Sequence, residues 1–195
     1  MIARAAALVE RVLDATFAEV AEHGLAALTV EAVAVRAGSS RATLYRHFPG
    51  GRDELVARTI RREVSRFFAD VLEAAPPAEA GVVDHVAGLV GAAHRLLEEH
   101  VVLQRLLVDE ADAIVPSLAT VFPLVETALE EHLRAVLGGA LGRGELRPGV
   151  EIGPAADHAA RLVLSYVGSA GRWALDDPAE ARRLARTRVL AGVVL

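Results

Sequence analysis

The chain has 195 residues, 53% of them hydrophobic, and a formal net charge of −5, with a mean hydropathy of +0.34. It contains no cysteine, which excludes disulfides and thiolate metal sites and fits a reducing compartment. No run in the sequence approaches the roughly 18 apolar residues of a membrane-span candidate and the N-terminus shows no secretory cleavage pattern, so the expectation is a cytoplasmic protein without a membrane partner.

Every one of the 21 basic residues is arginine, which reads as the codon bias of a GC-rich genome. The charge is uneven: residues 1–62 hold nine Arg against seven Asp or Glu, and the remainder 12 Arg against 19 acids. A mildly basic head on an acidic body is the polarity of a protein that turns only its head towards phosphates.

Nearly every segment has a helical period and none alternates convincingly, so the expected class is all-α with about nine helices. A first helix over 5–23 carries Val9, Leu13, Phe17 and Val20 on one face and stops at Gly24. Thr29 caps a second that ends at Gly38. Ser39 or Ser40 caps a third, which ends near His47 before Pro49-Gly50-Gly51. A long fourth helix covers 52–74, and Pro76-Pro77 ends it. A fifth spans 79–99 and a sixth 101–109. Pro116 is expected to open a seventh, with Pro123 as a possible kink. The glycine-rich stretch 138–153 reads as an irregular connection, followed by an eighth helix over 154–174. Asp177-Pro178-Ala179-Glu180 is a strong start signal for a ninth, running nearly to the C-terminus.

The second and third helices, with a Gly-Ser-Ser turn between them, form a helix-turn-helix whose second helix is loaded with Arg, Thr, Tyr and His. That is the element that enters a DNA major groove, N-terminal end foremost. Ser40, Arg41 and Thr43 lie near that end. Arg41 suits a bidentate contact to guanine, and Ala42 or the Thr43 methyl a thymine methyl. Tyr45, Arg46 and His47 are placed for phosphates, which fix register without reading sequence. Leu44 and Phe48 read as packing residues, and Thr29 as a helix cap first and a phosphate contact second.

Residues 11–16 (R-V-L-D-A-T), 21–24 (A-E-H-G), 29–30 (T-V), 37–48 (A-G-S-S-R-A-T-L-Y-R-H-F) and 52–55 (R-D-E-L) resemble the N-terminal region of TetR-family transcriptional regulators. The match covers about the first 60 residues; the remainder resembles the family in layout only. Ser39, Glu19 and Val20 depart from an apolar and an apolar-aromatic pattern, and Gly50-Gly51-Arg52 adds a residue to the loop before the fourth helix. The resemblance implies a DNA-binding domain over 1–50, with Ser39 and a phosphate-contacting Arg52 added to the residues above. It also implies a ligand-binding and dimerisation domain over 51–195. Its implied partners are operator DNA, a second copy of the chain and an unidentified small-molecule effector.

In that body, Gly168 and Gly171 with Leu184 and Val189 are the candidate dimer contacts, since small residues let a second backbone approach. Phe67, Phe68, Leu103, Leu107, Phe122, Val125, Tyr166 and Trp173 are the candidates for lining an apolar effector cavity. The other histidines are scattered, with no metal or acid–base spacing, no phosphate loop and no nucleophile elbow. No cofactor, metal or enzymatic activity is therefore expected. The function implied is a homodimeric repressor released from a palindromic operator by a small hydrophobic effector. The alternatives are an activator, or a helical small-molecule binder without specific DNA binding.

Overall fold

The computed structural model describes residues 2–195, with side chains from residue 5 onward. The described residues form nine α-helices: α1 (Ile2–His23), α2 (Val30–Arg36), α3 (Arg41–His47), α4 (Gly51–Ala74), α5 (Val82–Glu98), α6 (Val101–Asp109), α7 (Ala111–Gly142), α8 (Ile152–Gly168) and α9 (Pro178–Leu184). A 3-10 turn at Ala78–Ala80 precedes α5, and a π-helical turn at Ala185–Val189 extends α9. The extended backbone pairing among the described residues is one antiparallel bridge, Leu146 to Val194. The fold is all-α, as the periodicity predicts.

The caps behave as their chemistry dictates. Thr29 Oγ1 accepts the Ala32 N–H at 3.1 Å, Ser40 Oγ the Thr43 N–H at 3.2 Å, and Asp177 Oδ1 the Ala179 N–H at 2.9 Å, each satisfying a donor that has no intrahelical partner.

The chain divides into two compact units. The first holds residues up to Ser65 together with His100–Val121; the second holds Arg66–Glu99 and Phe122–Leu195. Helices α4 and α7 thus contribute to both. Where the sequence suggests a single cut near residue 50, α6 and the first turns of α7 return to the head. The reason is burial: Leu106 and Ile114 are 5% and 4% exposed in one cluster with Val12, Leu13, Val33, Leu44, Phe48 and Leu55.

The second unit has its own core, with Val86, Leu89 and Val90 of α5, Leu133 and Leu137 of α7, Ala156 and Ala160 of α8, and Leu184 and Val189 at the C-terminal end. Leu184 and Val189 are fully buried there. The expectation that they face a partner subunit is corrected: each is already surrounded within its own unit, and burying such a side chain is worth about 1.5–3 kcal/mol.

Helix α7 differs most from expectation. It starts at Ala111, not Pro116, and continues through Gly138 and Gly139 to Gly142. Pro116 and Pro123 lie seven residues apart on its exposed side. The carbonyls that lose a helical donor, on Asp112 and Ala119, belong to exposed residues and can take water instead. The helix is long and apolar enough to cross a membrane by length and composition, with an 18-residue window of mean hydropathy 1.4, contrary to the sequence expectation. Leu129, Leu133, Val136, Leu137 and Ala140 of the same helix are core residues of the second unit.

Candidate nucleic-acid interface

Helix α3 is seven residues long and has two faces. Leu44 and the following Phe48 are each 1% exposed and anchor it in the head's core. Arg41, Ala42, Tyr45 and Arg46 are exposed, and Thr43 and His47 half-buried. The buried pair sits four residues apart, so the polar residues necessarily share the opposite face.

Arg41, Thr43 and Tyr45 each have a local setting. Arg41 forms an ion pair with Glu31 of α2 at 2.6 Å, their side chains 60% and 50% exposed. Ser40 Oγ and Thr43 Oγ1 lie 2.9 Å apart, so both hydroxyls are held close to the helix start. Tyr45 is 43% exposed, and its ring lies against Gly51, where a Cβ would meet Cε1 at 3.3 Å. Gly51 also has φ +61, so glycine serves both the backbone and the ring. Arg58 of α4 stacks over the Phe48 ring at 4.4 Å and donates to the His47 carbonyl at 3.2 Å, fixing the end of α3.

Thr29 is exposed and Ser39 half-buried, at either end of α2. Arg52, expected on a phosphate, is turned to the α1–α2 turn instead: Nε donates to the Leu28 carbonyl at 3.1 Å and Nη2 to the Leu25 carbonyl at 2.7 Å. Sequence reasoning missed Glu31 and Arg58, because no spacing rule joins a residue on one short helix to a residue on the next.

The departure at Glu19 has an explanation. Its side chain is 12% exposed and accepts Arg36 Nε at 2.5 Å, while Glu22 takes the other end of the same guanidinium. An Arg36 fork thus ties α2 to α1. The Arg36 hydrogen bond lowers the Glu22 carboxyl below its ordinary value, and Glu22 and Glu19 together raise the arginine.

Residues 12–59 match the profile of the bacterial regulatory proteins of the tetR family. The structure of SmeT in complex with triclosan is 26% identical, with a TM-score of 0.61, over 97% of this chain and 92% of that one. A tetR-family regulatory domain is thus placed over residues 12–59. A second SmeT structure, described as the repressor of the Stenotrophomonas maltophilia multidrug efflux pump SmeDEF, is 21% identical with a TM-score of 0.56, over 96% of this chain and 90% of that one. A TetR transcription regulator from Haloarcula marismortui superposes with a TM-score of 0.64 at 19% identity, over 97% of this chain and 100% of that one. No curated protein matches the chain in sequence. The match over residues 12–59 and the 26% identical SmeT structure support a DNA-binding transcriptional regulator.

The fold brings together some of the remaining candidates and separates others. Phe67, Phe68, Tyr166 and Trp173 pack, partly buried, against the core of the second unit. Val125 is half-buried, and Phe122 is 53% exposed. Leu103 and Leu107 belong to the first unit. Trp173 meets the guanidinium groups of Arg172 and Arg183, 5.6 Å and 4.9 Å from its ring centre. Gly168 and Gly171 are exposed, with no atom within 4 Å of a Cβ placed on either. One polar feature of this unit had no sequence signal. His85 Nδ1 lies 2.6 Å from the Pro76 carbonyl and therefore donates to it, and His85 Nε2 lies 2.8 Å from His132 Nε2. Burial, with His85 beside it, holds His132 below its ordinary value of 6.5.

Proposed function

We propose that the chain is a homodimeric repressor that leaves a palindromic operator when a small hydrophobic effector binds its body, and that it acts in the cytoplasm. The observation that carries this reading is the division of α3: Leu44 buried beneath an exposed face of Arg41, Ala42, Tyr45 and Arg46. Such a helix has hydrogen-bonding groups to spare and a rigid mount from which to read base edges. Ser40, Thr43 and His47 complete the proposed contact surface, with Thr29 and Ser39 flanking it.

A two-fold dimer suits a pair of recognition helices about 34–36 Å apart, one turn of DNA. The exposed Gly168 and Gly171 are the proposed points of close approach between subunits. The structure of SmeT with triclosan supports an apolar effector, for which Phe67, Phe68, Tyr166 and Trp173 are the proposed lining. The effector would favour a conformation in which the heads no longer match successive grooves, shifting the equilibrium by its difference in affinity for the two states.

The test is selection from a pool of random duplex DNA at moderate and raised salt, followed by sequencing of what is retained. Enrichment of one palindrome that persists as salt rises is the expected result. Weak retention without enrichment, abolished by salt, refutes specific readout and leaves phosphate attraction alone.

A further inference from the structure

Helix α6 is fastened to α1 by contacts that advance together along both segments. His100, the N-cap of α6, stands edge-on to Phe17, ring centroids 6.5 Å apart. Five residues further, the Arg105 guanidinium donates to the carbonyls of Val20 and Ala21, each at 2.7 Å. At the end of α6 both carboxylate oxygens of Glu110 accept backbone N–H groups, from Leu25 at 2.9 Å and from Ala26 at 2.6 Å.

The charges are matched to what the backbone offers. The Val20 carbonyl already accepts the Gly24 N–H at 3.0 Å, whereas the Ala21 carbonyl loses its helical donor because the Leu25 N–H turns to Glu110. Both lie at the negative end of α1, which a guanidinium complements. Free N–H groups in a turn bind a carboxylate more strongly than a neutral acceptor. Gly24 completes the fit: its φ is +88, and a Cβ there would meet Glu110 Oε1 at 2.3 Å. Arg52 holds the same turn through the Leu25 and Leu28 carbonyls, and Thr29, the cap of α2, is the next residue.

We propose that Arg105 and Glu110 are positioning residues for operator binding. They fix the α1–α2 turn, and through it the start of α2, which carries α3. The α6–α7 corner is then part of the DNA-binding machinery, although it lies more than 50 residues beyond α3 in sequence. Neither residue touches DNA. The proposal rests on the operator-binding reading above.

The experiment uses the full-length chain, the operator recovered by selection and a scrambled duplex. Glu110→Gln keeps the volume but turns an NH2 group on one of the two N–H donors; Glu110→Ala removes both acceptors. The expected result is at least a tenfold loss of operator affinity, with scrambled-duplex affinity within twofold of wild type and an unchanged helical circular dichroism spectrum. Amide exchange at Leu25 and Ala26 should rise at least tenfold in Glu110→Gln. Operator affinity within twofold of wild type in both variants overturns the proposal. So does a parallel loss on operator and scrambled DNA that tracks a falling folded fraction, since that is the mark of a purely structural contact. Should Glu110→Ala fail to fold, Glu110→Gln and the wild-type exchange rates decide: unprotected amides at Leu25 and Ala26 overturn the clamp. A wild-type chain that selects no sequence refutes the operator reading, and the proposal that depends on it, whereas the exchange rates report on the clamp alone.

Discussion

Neutralising Glu31 should tighten operator binding, because its carboxylate competes with DNA for Arg41. The two groups are 2.6 Å apart and more than half exposed on average, and an exposed pair of this kind is worth about 0.2–1 kcal/mol. Arg41 must give up that amount before it meets a base or a phosphate. Glu31→Gln removes the competitor, for an expected gain of about 1.5- to 5-fold in operator affinity. Arg41→Ala loses a bidentate base contact, about 1–3 kcal/mol, less the pair it no longer has to break. With each range taken at its middle, about 2 and about 0.6 kcal/mol, the net loss is roughly tenfold. In the Arg41→Ala background, Glu31→Gln has no arginine to release, and its gain should shrink to what relief of phosphate repulsion supplies. Fluorescence anisotropy with operator and scrambled duplex at two ionic strengths measures all four corners of this cycle. Additive effects, or a Glu31→Gln variant that binds operator no better than wild type, would refute the competition. An equal loss on both duplexes in Arg41→Ala would assign that residue to phosphate instead of base.

Thr29→Ala, which removes the acceptor for the Ala32 N–H, should cost about 0.5–2 kcal/mol of stability, read from denaturant midpoints. The second unit should lose stability in mild acid. Burial keeps His132 neutral below its ordinary value of 6.5, so the unfolded chain binds more protons there. Stability is then full above about pH 6.5 and falls as pH drops through that value towards the lowered one; His132→Gln should flatten the dependence, and an unchanged slope between pH 7.5 and 5.5 would contradict it. Leu184→Ala should cost about 2–5 kcal/mol as a core cavity. Gly168→Leu, placed where a Cβ meets nothing within 4 Å, should leave the melting temperature alone and raise the dimer dissociation constant in sedimentation. A stable dimer in that variant would move the interface elsewhere.

What could be read from the chain was local chemistry. Thr29, Ser40 and Asp177 announce their helices because a side-chain oxygen beside the first turn satisfies specific N–H groups, and all three do so here. The two faces of α3 were legible for the same reason: Leu44 and Phe48 are spaced for one side of a helix. Non-local facts were not. Pro116 and Gly138 look like breaks, yet α7 runs past both because Leu129, Leu133 and Leu137 bury on one side of it, and tertiary burial outweighs the propensity cost of single residues. Leu184 and Val189 have the same apolar character whether they face a partner or their own core, so pattern alone could not place them. Arg52 was misjudged because its exposure and charge are visible in sequence, whereas the Leu25 and Leu28 carbonyls it reaches are not.

The return of residues 100–121 to the first unit bears on how the protein is made. Leu106 and Ile114 complete the head's core, so the head cannot finish folding as its first 65 residues leave the ribosome. At about 5–20 residues per second of synthesis, the nascent head waits several seconds with one side of its core open, until α6 and the start of α7 emerge. A chimaera joined just after α3 inherits the same gap permanently unless the donor's α6 comes with it. The smallest transplantable reader of DNA in this chain is therefore two separated stretches of sequence.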